Sequence, residues 1–147
     1  MATIATNRRA SFDYDLRERY EAGIILSGGE VKSVKTGHIS LSGSFVTVKG
    51  GELYLTNADI PRYKFASQQV AHDPTRSRKL LLHKAEIKSL IGKAKTLGLT
   101  LVPVRVYTKG RRIKLEFALA KGKKSFDKRQ SIARREADRK IGRALRS

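Results

Sequence analysis

The sequence predicts a mainly β fold: a small closed antiparallel barrel with two or three packed helices and a basic C-terminal tail disordered when free. Three observations lead there. Two hairpin signatures and two short helix signatures share residues 11–120. From Lys121 onward the chain is dense in Lys and Arg and offers almost nothing to a core. The length, 147 residues, is one ordinary domain with little to spare.

Met1 to Ala10 is polar and ends in Asn7-Arg8-Arg9, which reads as a mobile leader over 1–10. Ile24-Ile25-Leu26 closes a first strand that follows Tyr20-Glu21-Ala22-Gly23. Ser27 to Thr36 then reads as a helix. Ser27 and Glu30 form the S-x-x-E capping box, and Leu26 and Val31 occupy the hydrophobic-staple positions around it. Gly37 stands where a helix end favours a left-handed residue. Glu30 is accordingly read as structural, with Val31 and Val34 facing the core.

Phe45-Val46-Thr47-Val48 and Glu52-Leu53-Tyr54-Leu55 are β-rich runs joined by Lys49-Gly50-Gly51, a hairpin pattern. Asp73 to Lys79 is a polar, basic loop. Ile87, Leu90, Ile91 and Ala94 follow the i, i+3, i+4, i+7 rule and predict a helix over 84–97, ended by Gly98. Leu99 to Tyr107 and Ile113 to Ala120 make a second hairpin. Its second strand alternates Ile113, Leu115, Phe117 and Leu119 against Lys114, Glu116, Ala118 and Ala120. Pro103, which has no amide to donate, marks an edge or a bulge. Strand runs separated by helices, with hairpins at both ends, suit an OB-like barrel, an architecture that binds single strands and structured RNA.

Charge narrows the function. There are 32 basic and 13 acidic residues, a net charge of +19. Self-repulsion of that size calls for an anionic partner. Residues 121–147 hold 11 basic and three acidic side chains, or +8; the other 120 residues hold 21 and 10, or +11. The globular part is therefore basic too, and nucleic acid is the expected partner. Three clusters are candidate phosphate contacts: Asn7-Arg8-Arg9 with Arg17 and Arg19; Arg76, Arg78 and Lys79; and Lys121, Lys123, Lys124, Lys128 and Arg129. A solvated charged face is the alternative for each. Tyr14, Tyr20, Tyr63 and Tyr107 are either stacking platforms or core.

Other chemistries find little support. Without cysteine there is no disulfide, thiol catalysis or Cys-based zinc site. His38, His72 and His83 lack metal-ligand spacing, so no metal and no cofactor are expected. His72-Asp73 suggests a base and its orienter, but no second acid accompanies it, and no catalytic residue is assigned. There is no phosphate-binding glycine loop. No segment approaches a membrane span and the N-terminus has no signal-length apolar run, so membrane partners are not expected and the chain reads as cytoplasmic. In the tail, Ile132, Ala133, Ala137, Ile141, Ala144 and Leu145 give a thin apolar stripe, marginal as a lone helix. Order on a partner is expected instead.

Several stretches, in order, carry a resemblance: Asn7-Arg8-Arg9-Ala10, Tyr20-Glu21-Ala22-Gly23-Ile24, Glu30-Val31-Lys32-Ser33, Asp73-Pro74-Thr75-Arg76-Ser77-Arg78-Lys79-Leu80-Leu81-Leu82, Ala120-Lys121-Gly122-Lys123-Lys124 and Asp127-Lys128-Arg129. The chain resembles the small protein B family, the SsrA-binding proteins of bacterial trans-translation. The resemblance implies a monomeric OB-like barrel that binds the tRNA-like domain of tmRNA. It implies delivery of aminoacylated tmRNA, with elongation factor Tu, to stalled ribosomes. The family's tmRNA-contact positions correspond to Asn7, Glu21, Leu81 and Lys114. Arg8, Arg9, Tyr14, Arg76, Arg78 and Lys79 are expected beside them. The tail is implied to enter the decoding centre and empty mRNA channel of the small subunit against its ribosomal RNA. Lys121, Lys123, Lys124, Asp127, Lys128, Arg129, Ile132, Arg134 and Arg135 are its contact candidates. Family members often carry a large side chain where this chain has Ala137, so the resemblance implies anchoring that is either weaker here or shifted to Ile132 or Ile141. Glu21 is either an acceptor for RNA donors, an orienter of cations, or half of an internal ion pair. A structural ribosomal protein with a basic extension is the competing reading, and a hydrolytic enzyme on RNA the third.

Overall fold

The computed structural model describes residues 2–66 and 71–123. Seven strands form one antiparallel sheet: β1 (Ala2–Thr6), β2 (Tyr14–Ile24), β3 (Phe45–Lys49), β4 (Glu52–Thr56), β5 (Arg78–Leu81), β6 (Thr100–Lys109) and β7 (Arg112–Gly122). Their order is β1-β6-β7-β2-β5-β4-β3. Three helices accompany them among the described residues: α1 (Ala10–Asp13), α2 (Gly28–Lys35) and α3 (Lys84–Leu97).

The sheet curls around one core but does not close into the expected barrel. Closure would require β3 to pair with β6. Instead β1 occupies the outer edge of β6 over Arg105–Thr108. Beyond it, the Asn7 amide donates to Val104 O at 2.8 Å and Asn7 Nδ2 to Pro103 O at 2.9 Å. Pro103 has no amide for a further strand, and the β6–β7 register shifts between Pro103 and Arg105. The mobile leader expected over 1–10 is likewise corrected: Ala2–Thr6 is a paired strand and Ala10–Asp13 a helical turn. At the other boundary, β7 runs to Gly122, so Lys121 belongs to the sheet and not to a tail.

The central hairpin follows its alternation. Leu115, Phe117 and Leu119 are buried in the main core with Leu53, Leu55, Leu80 and Val106. Ala118 and Ala120, expected on the outer face, are buried as well. Ala120 forms a second small cluster with Ala10 and Val102, on which Tyr14 and Leu16 pack. Small side chains on that face let α1 lie flat against the sheet. In the β3–β4 turn, Gly50 and Gly51 take φ +59° and +74°, the paired left-handed geometry of a tight hairpin.

Helix α2 carries the interaction that ties these parts together. Its capping box is complete: Glu30 N donates to Ser27 Oγ at 3.3 Å and Ser27 N to Glu30 Oε1 at 3.0 Å. The Glu30 side chain is 2% exposed, and that of Arg78 on β5 is 0% exposed. Arg78 Nε donates to Glu30 Oε2 at 2.7 Å, Nη1 to Ala58 O at 2.8 Å and Nη2 to Pro74 O at 2.9 Å. Arg76 donates to the other Glu30 oxygen. Burial pushes the Glu30 carboxyl up, but Arg76, the Ser27 amide and Arg78 outweigh it and hold it at about 2.

A buried pair broken on one side leaves an uncompensated charge, so Glu30→Gln should cost roughly 3–5 kcal/mol in urea unfolding at pH 7. The folded-state value lies below the ordinary 4.5, so this stabilisation is complete above about 4.5 and lost as pH falls through about 2. The gap between the native chain and Glu30→Gln should therefore narrow in acid. A gap that stays constant from pH 7 to pH 2 would assign the stability elsewhere.

Candidate RNA interface

Strand β2 sorts the predicted contact residues into two groups, one at each end. An 11-residue strand separates them by roughly 30 Å.

At the C-terminal end, Gly23 pairs with Leu81 of β5 on one side and Lys114 of β7 on the other. Lys114 in turn pairs with Tyr107 of β6. Residues opposite one another in antiparallel strands share a face. Leu81, Gly23, Lys114 and Tyr107 therefore form one row across four strands. Leu81 is 53% exposed although apolar. A Cβ at Gly23 would stand 3.4 Å from Leu81 Cβ, so the glycine keeps a strip of bare backbone between Leu81 and Lys114.

The adjacent row holds Glu21, Glu116 and Arg105. Tyr107 donates its hydroxyl to Glu21, and Lys109 Nζ lies 3.5 Å from Glu21 Oε1. The Tyr107 hydrogen bond, against a smaller cost of burial and with help from Lys109 and Lys114, holds the Glu21 carboxyl below its usual value. Burial, with Glu21 as acceptor, pushes the Tyr107 hydroxyl up. Glu116 takes Arg19 Nη1 at 2.7 Å and Arg105 Nε at 2.9 Å. Burial raises the Glu116 carboxyl, and the two guanidiniums more than reverse it. The Arg105 guanidinium lies 4.4 Å over the Tyr107 ring. Both carboxylates on this face are thus paired, and they fix the cations around them. Within the chain Glu21 contacts Tyr107 and Lys109, as both its internal-pair and its cation-orienting readings expect.

At the N-terminal end, Asn7 is spent on the β6 backbone, and Arg8 is exposed. Arg9 reaches Asp13 at 3.4 Å and lies 4.9 Å over the Phe12 ring. Tyr14 is half-buried against the Ala10 cluster, which favours its core reading over stacking. The end of β7 meets this corner: Tyr14 pairs with Gly122, Lys123 N donates to Asp13 O at 2.9 Å, and Lys123 Nζ donates to Ser11 O at 2.8 Å. Lys121 is exposed beside them.

One member of the middle basic cluster is corrected. Arg78 is fully buried on Glu30 and has no surface to offer RNA. Arg76 is half-committed to the same carboxylate, and Lys79 lies 3.8 Å from Glu52. Lys124, Asp127, Lys128, Arg129, Ile132, Arg134 and Arg135 lie outside the described residues. Sequence reasoning missed Arg105, Lys109 and Glu116, although their every-second-residue spacing on β6 and β7 placed them with Tyr107 and Lys114. His72 Nε2 donates to Ile60 O at 2.8 Å, and Asp73 accepts from Thr75 N at 3.1 Å; neither faces the other as a base and orienter would. No cluster of metal-ligating side chains and no helix long and apolar enough to cross a membrane occurs among the described residues.

Residues 4–147 match the model of the family described as SmpB protein. The chain is 51% identical over 146 residues to the SsrA-binding protein of Chloroflexus aggregans, covering 99% of this chain and 92% of the relative. It is 51% identical over 143 residues to that of Halothermothrix orenii, covering 97% and 92%. A chain solved under the description "tmRNA-SmpB: a journey to the center of the bacterial ribosome" is 49% identical, with a TM-score of 0.66 over 82% of this chain and 84% of that one.

The Tyr107–Glu21 contact makes its own prediction. Removing the hydroxyl in Tyr107→Phe should raise the Glu21 carboxyl toward its ordinary range, read by carboxyl NMR titration. An unmoved Glu21 would mean that Lys109 and Lys114 alone set its charge.

Proposed function

The chain belongs to the SmpB protein family, and on that premise we propose that it is a tmRNA-binding adaptor of trans-translation with no catalysis of its own. The observation that carries the reading is convergence. Glu21, Leu81 and Lys114 come from three separated stretches of sequence and meet in one patch around Gly23. An exposed apolar side chain, a cation and a bare backbone strip suit a folded RNA, recognised by shape, phosphate and 2′-hydroxyl. Lys114 supplies phosphate contact, Leu81 packs on a sugar or base face, and Glu21 holds Lys109 and Tyr107 in place.

The finer assignments belong to the same proposal. The tRNA-like domain of tmRNA is the part gripped by the patch. The chain acts as a monomer in the cytoplasm and delivers aminoacylated tmRNA, with elongation factor Tu, to stalled ribosomes. The segment beyond Lys123, with Lys124, Asp127, Lys128, Arg129, Ile132, Arg134 and Arg135, occupies the decoding centre and empty mRNA channel. It stands in for position and not for charge, because it is basic where mRNA is acidic. Two supports are a net charge of +19 and a root held at Lys123 at the end of β2 opposite Leu81.

Truncation after Lys123 should leave tmRNA affinity within a few-fold and abolish tagging of stalled chains in a reconstituted translation assay. A truncated chain that still tags would break the two-part division. Lys114→Ala should weaken tmRNA binding and lower the salt slope of log K by about one. An unchanged slope would remove Lys114 from the phosphate contacts. A structural ribosomal protein would instead remain on ribosomes through a high-salt wash.

A further inference from the structure

A second exposed surface adjoins α2. Residues 61–66, between β4 and β5, carry Arg62, Tyr63, Lys64 and Phe65 in sequence. Phe65 is 76% exposed, the most exposed large apolar side chain among the described residues. It is not a frayed end. Ser33 Oγ, buried on α2, donates to Pro61 O at 2.9 Å, and His72 holds the Ile60 carbonyl at 2.8 Å. Ala66 N donates to Tyr63 O at 2.9 Å and closes a turn around Phe65. The Tyr63 and Phe65 rings meet edge-on, with centroids 5.6 Å apart at 71°. Lys32 of α2 lies 5.7 Å over Tyr63, and Lys64 lies 5.5 Å over Phe65.

Several cohesive contacts thus hold an aromatic ring in water with cations around it. Burial does not explain the ring, since three-quarters of it is exposed. The surrounding charge selects an anionic occupant. Aromatic faces with Lys and Arg beside them form the platform on which an unpaired base stacks while its phosphates are neutralised. The platform and the Leu81–Lys114 patch adjoin the same helix. Val31 lines the groove that holds Leu81 and Lys114, its neighbour Lys32 covers Tyr63, and Gly28 and Gly29 at the start of α2 line the same pocket as Tyr63, with open space beside both.

We propose that Phe65, with Tyr63, Lys32, Lys64 and Arg62, is a second tmRNA contact that stacks an unpaired base of the same RNA held at Leu81 and Lys114. This rests on the adaptor reading and adds a stacking site to it.

The test uses the full chain, a full-length tmRNA transcript and vacant small ribosomal subunits at one fixed salt concentration, with thermal melting alongside. Phe65→Ala should weaken tmRNA binding roughly tenfold without lowering the melting temperature, because the ring is exposed. Phe65→Tyr and Phe65→Trp should bind within about twofold of the native chain, and Phe65→Leu should resemble Phe65→Ala. Equal tmRNA binding by Phe65→Ala, while Lys114→Ala is weakened, overturns the stacking site and leaves the adaptor reading standing. Full retention by Phe65→Leu marks an apolar contact that needs no aromatic ring and overturns stacking too. Loss confined to the ribosomal subunits assigns the ring to ribosomal RNA and does the same. If the native chain fails to bind tmRNA, both readings fall together.

Discussion

The structure depends on one carboxylate. Glu30 closes the first turn of α2, accepts Arg78 from β5 and receives Arg76 from the preceding loop. Arg78 spends its remaining donors on the carbonyls of Ala58 and Pro74. Two cations and a capping amide therefore meet at one buried anion, and a helix, a strand and a long loop are fixed relative to one another. Every buried side-chain N or O among the described residues has a partner. A network satisfied to that degree gains from the low dielectric around it, and the same low dielectric penalises any missing member.

That arrangement positions the RNA surface. Arg78 sits three residues before Leu81 on the same short strand. Anchoring the first places the second beside Gly23, and the β2–β7 ladder carries Lys114 to the other side of Gly23. Ser33 and the 61–66 turn are held from the same helix. Both proposed contact surfaces thus take their geometry from α2, although neither uses Glu30 directly.

Much of this was legible in the sequence, and the misses have a common cause. Features set by near neighbours were readable: the S-x-x-E cap, the Gly50-Gly51 turn, the helix over 84–97 and the alternation of β7. Features set across the fold were not. Arg78 looks like any arginine of a basic loop until Glu30, 48 residues away, is placed beside it. Ala2–Thr6 has no strong alternation of its own and becomes a strand because β6 offers it an edge. Openness of the sheet turned on a capture of the Pro103 and Val104 carbonyls by Asn7, which no local pattern announces. In the site, Glu21, Leu81 and Lys114, carried over from the family resemblance, converged while Asn7 did not, and Arg105, Lys109 and Glu116 emerged only once β6 and β7 were in register.

The root of the C-terminal segment has a mechanical consequence. β7 lies in the interior of the sheet, bonded along its length to β2 on one side and β6 on the other. Its last residues are further tied to α1 through Lys123. A pull on the chain at that point, directed along the strand, loads both ladders at once and in shear. It cannot peel them open one bond at a time, as it would on an edge strand. Whatever grips the segment beyond Lys123 pulls on a strand laddered on both sides, so the load passes into β2 and β6 together.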